Sequence, residues 1–98
     1  MVDYRLHIDS LFIALSDSTR RDILERTQST ALTVNQIAID YDMSLAAVSK
    51  HLKVLDDAGL ITKQKNGRYV FISGRPEGLS EARDYLSQFE QTFVNKEQ

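Results

Sequence analysis

Side chains suited to contacts with bases and phosphates cluster in one short stretch. Serine, histidine and lysine can hydrogen-bond base edges or phosphate oxygens, and alanine methyls can approach thymine methyls. The members of this set are Ser44, Ala46, Ala47, Ser49, Lys50, His51 and Lys53. Apolar residues alternate with them at helical spacing, namely Leu45, Val48, Leu52 and Leu55. This pattern predicts a helix whose apolar side packs on the protein and whose outer face can meet DNA, although a solvated amphipathic helix has the same pattern.

A second basic group follows in a segment with the pattern of a β-hairpin. Predicted strands at 60–65 and 69–73 flank Asn66-Gly67, a pair that favours the positive φ values of a tight turn. The basic residues of this hairpin are Lys63, Lys65 and Arg68. Arg68 lies beside the turn, where it could enter a minor groove or bind phosphate. Lysines on an edge strand also discourage aggregation, so for the two lysines both interpretations stay open.

Two helical patterns joined by a short polar break precede the hairpin. Thr33 and Gln36 predict a capping box at the start of a helix over 34–41. Ser44 is the expected N-cap of the second helix, over 45–58. The order of helix, tight turn, helix and hairpin predicts a winged helix-turn-helix, which places one helix in the DNA major groove.

Three further helices complete the predicted fold. They cover 4–15, 18–27 and, starting at Pro76, a segment to about residue 94. Asp17 is a plausible N-cap of the second of them, and the stretch 28–32 has the composition of a loop. We therefore expect residues 1–98 to form a single domain, mainly α with a small β-hairpin.

The first and last helices each carry apolar residues that suggest a partner surface. Tyr4, Ile8, Leu11 and Leu15 form one stripe of the first helix, whereas Leu6 and Ile13 lie on its opposite side. A surface helix of a monomer needs only one apolar face. The last helix carries a stripe of Leu79, Ala82, Leu86, Phe89 and Phe93. We expect these residues, together with Leu6 and Ile13, to form a dimer interface, although scattered exposed apolar residues are common.

Composition and charge exclude several classes of protein. The net charge is −2, but the segment 44–75 carries six basic and two acidic residues, which makes a basic face on an acidic body. The chain has no cysteine, so disulfides, thiolate metal sites and thiol redox sensing are excluded. No signal peptide or membrane span is expected, and a cytoplasmic location fits. No glycine-rich phosphate loop or catalytic triad is evident, so we expect no enzyme and no catalytic residue.

Three segments of the chain resemble the ArsR/SmtB family of bacterial winged-helix repressors. They are FIALSDSTRRDIL, VSKHLKVLDDAGLI and NGRYVFI, and the middle one is the most specific. The resemblance implies a homodimer that pairs through its first and last helices and binds palindromic operators in double-stranded DNA. It implies DNA reading by the helix residues 44–51 named above, with Arg68 on the wing. Arg20 matches the family's Thr-Arg pair and would either contact phosphate or cap a neighbouring carboxylate.

The chain departs from the metal-sensing members of that family. Many of them bind metal through a cysteine pair in the third helix, where this chain has QIAIDYD. Others use aspartate and histidine on the last helix, which here offers Glu81, Asp84 and Glu90 without a histidine. The chain thus resembles a metal-independent branch, with no metal or cofactor expected. An inducer or a partner protein could still control it, and a protein-interaction adaptor is the alternative function.

Overall fold

The computed structural model describes residues 4–97, with side chains as far as residue 91. In the described residues five helices and three strands follow in the order α1 (Tyr4–Leu15), α2 (Ser18–Thr27), β1 (Leu32–Thr33), α3 (Val34–Asp40), α4 (Leu45–Asp57), β2 (Ile61–Asn66), β3 (Tyr69–Gly74) and α5 (Pro76–Glu97). The predicted fold class, a mainly helical winged helix-turn-helix, is confirmed. The helix bounds agree with the predicted ones to within a few residues, because local signals specify where each helix starts.

Side-chain caps start three of the helices. The Asp17 carboxylate accepts from the Arg20 amide at 3.0 Å, and the Ser44 hydroxyl oxygen accepts from the Ala47 amide at 3.1 Å. Thr33 accepts from the Gln36 amide at 3.1 Å, but the described residues do not form the expected reciprocal half of the capping box. The Gln36 side chain donates instead to Asp40 Oδ1, at 2.7 Å. Each cap satisfies an amide that a helix start leaves without an intrahelical partner.

A tight turn sets the angle between α3 and α4. Asp42 adopts a φ of 51°, the left-handed region that aspartate tolerates better than most residues. The amide of Met43 then donates to the Ala38 carbonyl at 2.9 Å, which closes the end of α3. Gly59, with a φ of 73°, ends α4 in the same conformation and turns the chain toward β2. These two turns give α4 its orientation relative to the hairpin.

The hairpin belongs to a three-stranded antiparallel sheet with the order β1-β3-β2. The prediction of a loop up to residue 32 is wrong at its end, because Leu32 pairs with Ile72 and Thr33 with Phe71. An isolated two-stranded hairpin is only marginally stable in water. The short β1 covers one edge of β3 and so ties the hairpin to the segment that leads into α3.

The hairpin turn is displaced by one residue from the predicted position. Asn66 pairs with Tyr69, so the two-residue loop is Gly67-Arg68 rather than Asn66-Gly67. Gly67, the first loop residue, has a φ of 63°. Arg68, the second, has a negative φ, because Asp42 is the only residue other than glycine with a positive φ in the described part of the chain. Glycine at the first loop position with positive φ is typical of a type II′ turn. Arg68 consequently lies at the tip of the hairpin.

The core draws its large side chains from the first four helices, from β3 and from the residue before β2. The fully buried ones are Leu11, Ile23, Ile37, Val48, Leu52, Leu55, Leu60 and Ile72. Two residues predicted to face the core are exposed instead, Leu45 by 53% and Tyr4 by 58%. Each is the first residue of its helix and lies beside other exposed residues. Helical spacing alone does not show which residues of an apolar stripe are covered by other elements.

Candidate nucleic-acid interface

The predicted contact residues of α4 share its outer face to different degrees. Ser44, Ala46, Ser49, Lys50 and Lys53 are exposed, whereas Ala47 and His51 are half-buried. The small side chains lie in the first turns of the helix, and the two lysines lie in its middle. Such an arrangement lets the backbone of α4 approach base edges closely while lysines reach the flanking phosphates.

The wing, defined as β2, β3 and their turn, borders the same open groove as α4. This groove has a volume of about 390 Å³ and is lined by Val34, Asn35, Leu45, Ser49, Leu52, Lys63, Arg68 and Val70. Ser49 and Arg68 are distant in sequence, yet the fold brings both to one groove. The contact pattern of the sequence does not include Asn35, and helical spacing predicts Leu45 in the core. A signal for Asn35 exists, since it is a polar residue in the first turn of α3.

The basic side chains of this surface differ in their partners. Lys53 pairs with Asp57 at 3.2 Å, and Lys63 pairs with Asp56 at 3.8 Å. Lys50 and Lys65 make no ion pair with any side chain that the structure describes. Arg68 lies over the ring of Tyr69, with 5.6 Å between its Cζ and the ring centroid, and is exposed. The cations without a carboxylate partner are therefore concentrated in the middle of α4 and at the end of the wing.

Arg20 is held mainly by backbone carbonyls rather than by a carboxylate. Its Nε donates to the Ala14 carbonyl at 2.9 Å and its Nη2 to the Ile13 carbonyl at 2.8 Å. Its Nη1 lies 3.3 Å from Nδ1 of His51. The backbone amide of Arg20 is also the main cause of the lowered pKa of the Asp17 carboxyl. These contacts join the end of α1 to α4. The Arg20 side chain does not hydrogen-bond a carboxylate among the described residues, whereas its phosphate contact stays a prediction.

The residues predicted to form a dimer interface divide into an exposed and a buried group. Leu6, Ile13, Leu86 and Phe89 expose between 51% and 63% of their surface. Leu79 is half-buried. Ala82 exposes only 5% of its surface and belongs to the core, so it is not an exposed contact residue. The side chain of Phe93 lies outside the described residues.

A shallow depression of about 670 Å³ runs along the exposed part of α5. It is lined by Leu79, Ala82, Arg83, Leu86, Ser87, Phe89 and Glu90. Tyr85 packs edge-on against Phe12 of α1 and Phe89, with centroid distances of 5.7 and 5.2 Å. The first turns of α5 thus pack on the core, whereas Leu86 and Phe89 farther along the helix stay exposed.

The acidic residues of α5 are engaged individually or lie in solvent. Glu81 bonds to His7 of α1, and Asp84 pairs with Arg83 at 3.2 Å. In the described residues no group of three metal-ligating side chains comes together. No helix in that part of the chain is long and apolar enough to cross a membrane.

Comparison with known proteins identifies related transcriptional regulators. The family model described as "Helix-turn-helix domain" matches residues 15–64. The uncharacterized HTH-type transcriptional regulator YuzN of Bacillus subtilis is 46% identical over an alignment of 68 residues, and the match covers 62% of this chain and 74% of that protein. The transcriptional repressor SdpR of the same organism is 28% identical over 89 residues, 91% of this chain and 94% of that one.

A solved structure agrees with the sequence comparison. The crystal structure of the ArsR family transcriptional regulator RHA00566 superposes with a TM-score of 0.86 at 30% identity, covering 96% of this chain and 97% of that one. The helix-turn-helix, the wing and the two flanking helices are thus accounted for together, and the chain belongs to the ArsR family of winged-helix transcriptional regulators.

Proposed function

We propose that the protein is a homodimeric repressor that binds an imperfectly palindromic operator through α4 and the wing. The observation that supports this most directly is the groove shared by Ser49 of α4 and Arg68 of the wing. In this arrangement Ala46 and Ser49 meet base edges in the major groove. Lys50, Lys65 and Arg68 supply phosphate contacts, because no carboxylate of the described residues neutralises them. Such a function implies a location with the chromosome, in the cytoplasm.

Pairing of two copies would give the interface the symmetry that a palindrome requires. The exposed apolar side chains of α1 and α5 are the surface on which a second copy would pack. A twofold axis there would set two α4 helices in successive major grooves, about 34 Å apart. The similarity to the transcriptional repressor SdpR supports repression rather than activation. Repression would then follow because a bound dimer blocks polymerase.

Fluorescence anisotropy on the DNA just upstream of the protein's own gene tests the DNA step. A scrambled duplex of equal length serves as the control, and salt is varied for both. We expect at least ~10³-fold preference for the natural duplex and a salt slope that corresponds to several phosphate contacts per protomer. Weak binding without preference would contradict the repressor and favour the alternative function, a winged helix that acts as a protein-interaction adaptor.

Sedimentation of two matched variants tests the dimer. Leu86→Glu places a charge on the exposed apolar part of α5, and we expect it to sediment as a monomer. Ile39→Glu is the control, because Ile39 is 73% exposed but belongs to α3, away from the proposed interface. We expect Ile39→Glu to remain a dimer. A dimeric Leu86→Glu protein with a native circular dichroism spectrum would place the interface elsewhere.

A further inference from the structure

The ring of His51 faces Arg20 with one of its two nitrogens. Nδ1 of His51 lies 3.3 Å from Nη1 of Arg20, at the long end of the hydrogen-bond range. A guanidinium has donors only and stays protonated, so Nδ1 must be the acceptor. An imidazole that accepts at Nδ1 is neutral and carries its proton on Nε2. The contact therefore selects one of the two neutral tautomers of His51.

The described surroundings of this contact offer no acceptor to which a protonated Nδ1 could donate instead. The nearest carboxylate oxygen, Oδ2 of Asp17, is 3.8 Å from Nδ1, too far for a hydrogen bond, and already accepts from the Arg20 amide at 3.0 Å. The guanidinium is itself held by the carbonyls of Ile13 and Ala14 at the end of α1. Arg20 is consequently a fixed donor, and His51 adapts to it.

The other ring nitrogen is open to solvent. Among the described residues that are buried or half-buried, every side-chain nitrogen or oxygen that is shielded from solvent has a hydrogen-bond partner. Nε2 of His51 has no partner within the described part of the chain, so it must be accessible. The side chain as a whole is 22% exposed. On α4 it lies one helical turn after Ala47, a residue of the predicted contact set.

We propose that Arg20 is a positioning residue, which orients His51 so that an Nε2–H donor faces the DNA. This inference rests on the proposed function and assigns a direction to one of its contacts. A lone donor recognises phosphate oxygens, O6 and N7 of guanine, N7 of adenine or O4 of thymine, whereas the amino groups of adenine and cytosine offer it nothing. Arg20 thereby influences DNA recognition without touching DNA.

Nitrogen NMR of the free protein tests the tautomer independently of DNA. At pH 8 we expect the His51 signals of the neutral form with the proton on Nε2. In Arg20→Gln we expect a mixture of both tautomers, and in Arg20→Lys, which keeps the charge and a donor but not the fork, a partial mixture. Thermal unfolding of each variant verifies that it is folded. Nδ1-protonated His51 in the wild type, or the same signals in all three proteins, would overturn the inference.

Two substitutions of His51 then separate its two nitrogens. Asparagine places its amide near the position of Nδ1 and can still accept from Arg20, whereas glutamine reaches the position of Nε2 and can still donate outward. The probe is the best duplex obtained by in vitro selection with the wild-type protein, compared with its scrambled form. We expect His51→Asn to reduce the preference roughly tenfold and His51→Gln to retain most of it. The reverse order would overturn the proposed direction of the donor.

The two readouts distinguish this inference from the function on which it rests. If the wild type shows no preference for any duplex, the proposed function fails and the DNA step of the inference fails with it. If the wild type prefers the selected duplex but both His51 variants match it, the repressor stands and the role of His51 falls.

Discussion

Two charged regions of this protein use their charges in opposite ways. At the corner between α2 and α3, Arg26 bonds to Asp40 and lies 5.4 Å from the centroid of the Tyr41 ring, while the Tyr41 hydroxyl donates to Asp22. On α4 and the wing, by contrast, Lys50 and Lys65 have no carboxylate partner among the described side chains. The first region satisfies its charges within the fold, and the second leaves cations for a polyanion. Residue type does not distinguish them, and only their partners do.

The largest expected effect is a severe weakening of DNA binding when the open cations are removed. The triple variant Lys50→Ala, Lys65→Ala and Arg68→Ala should lower affinity on the order of 10²-fold or more at physiological salt. The slope of log K against log salt should flatten by roughly one for each phosphate-binding side chain that the variant removes. Anisotropy titrations at several salt concentrations measure both quantities. The unfolding temperature should stay close to that of the wild type, because these side chains are exposed.

The matched control for that variant is Lys53→Ala, on the same helix. Asp57 already neutralises Lys53 at 3.2 Å, so its removal should affect binding less than the removal of Lys50 alone. An effect of Lys53→Ala as large as that of Lys50→Ala would show that the internal pairs do not decide which cations meet DNA.

Removing the charge of Arg26 at the corner between α2 and α3 should have the opposite effect, a loss of stability with little change in DNA affinity. Arg26→Ala should lower the urea midpoint of unfolding, because Asp40 and Tyr41 lose the partner they share. The DNA affinity of Arg26→Ala should stay within about twofold of the wild-type value, since dissolved salt screens the interaction between DNA and surface charges away from the contact. Equilibrium unfolding and anisotropy on the same preparation test the two halves. A loss of DNA binding in fully folded Arg26→Ala protein would break the comparison between the two regions.

The free energy of unfolding should fall at both low and high pH, because Asp40 and Tyr41 beside Arg26 titrate there. The hydrogen bond from Arg26 lowers the pKa of Asp40 below 3.8, so this contribution is full above that pH and disappears as the pH falls through the lowered value. Burial raises the pKa of Tyr41 above 10.0, so its contribution is full below pH 10 and disappears as the pH rises through the raised value. Urea midpoints between pH 2 and 11 measure both limbs. Arg26→Ala should flatten the acid limb, and Tyr41→Phe the alkaline one.

The smallest expected effect is a gain of binding when carboxylates leave the contact surface. Asp56→Asn and Asp57→Asn release Lys63 and Lys53 from their partners and remove negative charge near the phosphates. We expect each to raise DNA affinity about two- to threefold, because exposed ion pairs are worth under about 1 kcal/mol. The same anisotropy titrations detect this, with Asp84→Asn on α5 as the control. Unchanged affinity in both variants would show that these pairs stay intact in the complex.

Much of the fold could be predicted because its signals are local. Asp17, Thr33 and Ser44 act as N-caps, as their positions before each helix predicted. Gly59 and Gly67 take positive φ, although the hairpin turn lies one residue later than Asn66-Gly67 predicted. A strand register depends on which residues pair across the turn, and a two-residue signal leaves that choice open. For the same reason the two-residue β1 could not be predicted, since its partner strand is distant in sequence.

The candidate site was predictable in outline but not in its partners. Residue types and helical spacing predicted an outer face that includes Ser49, Lys50 and Arg68, and these three residues are exposed, whereas their contact with DNA stays a prediction. Spacing did not reveal that Leu45 is exposed, that Ala82 is buried, or that Arg20 binds carbonyls of α1 and His51.

The sequence by itself determined the helices, their caps, the order of elements and the family, because these depend on residues within a few positions of one another. The tertiary structure alone decided which cations are paired, which tautomer His51 adopts and which apolar residues stay uncovered. Each of those properties depends on atoms from elements far apart in the chain, such as Arg20 with His51 or Lys63 with Asp56. Packing brings such atoms together, and no spacing in the sequence encodes their distance.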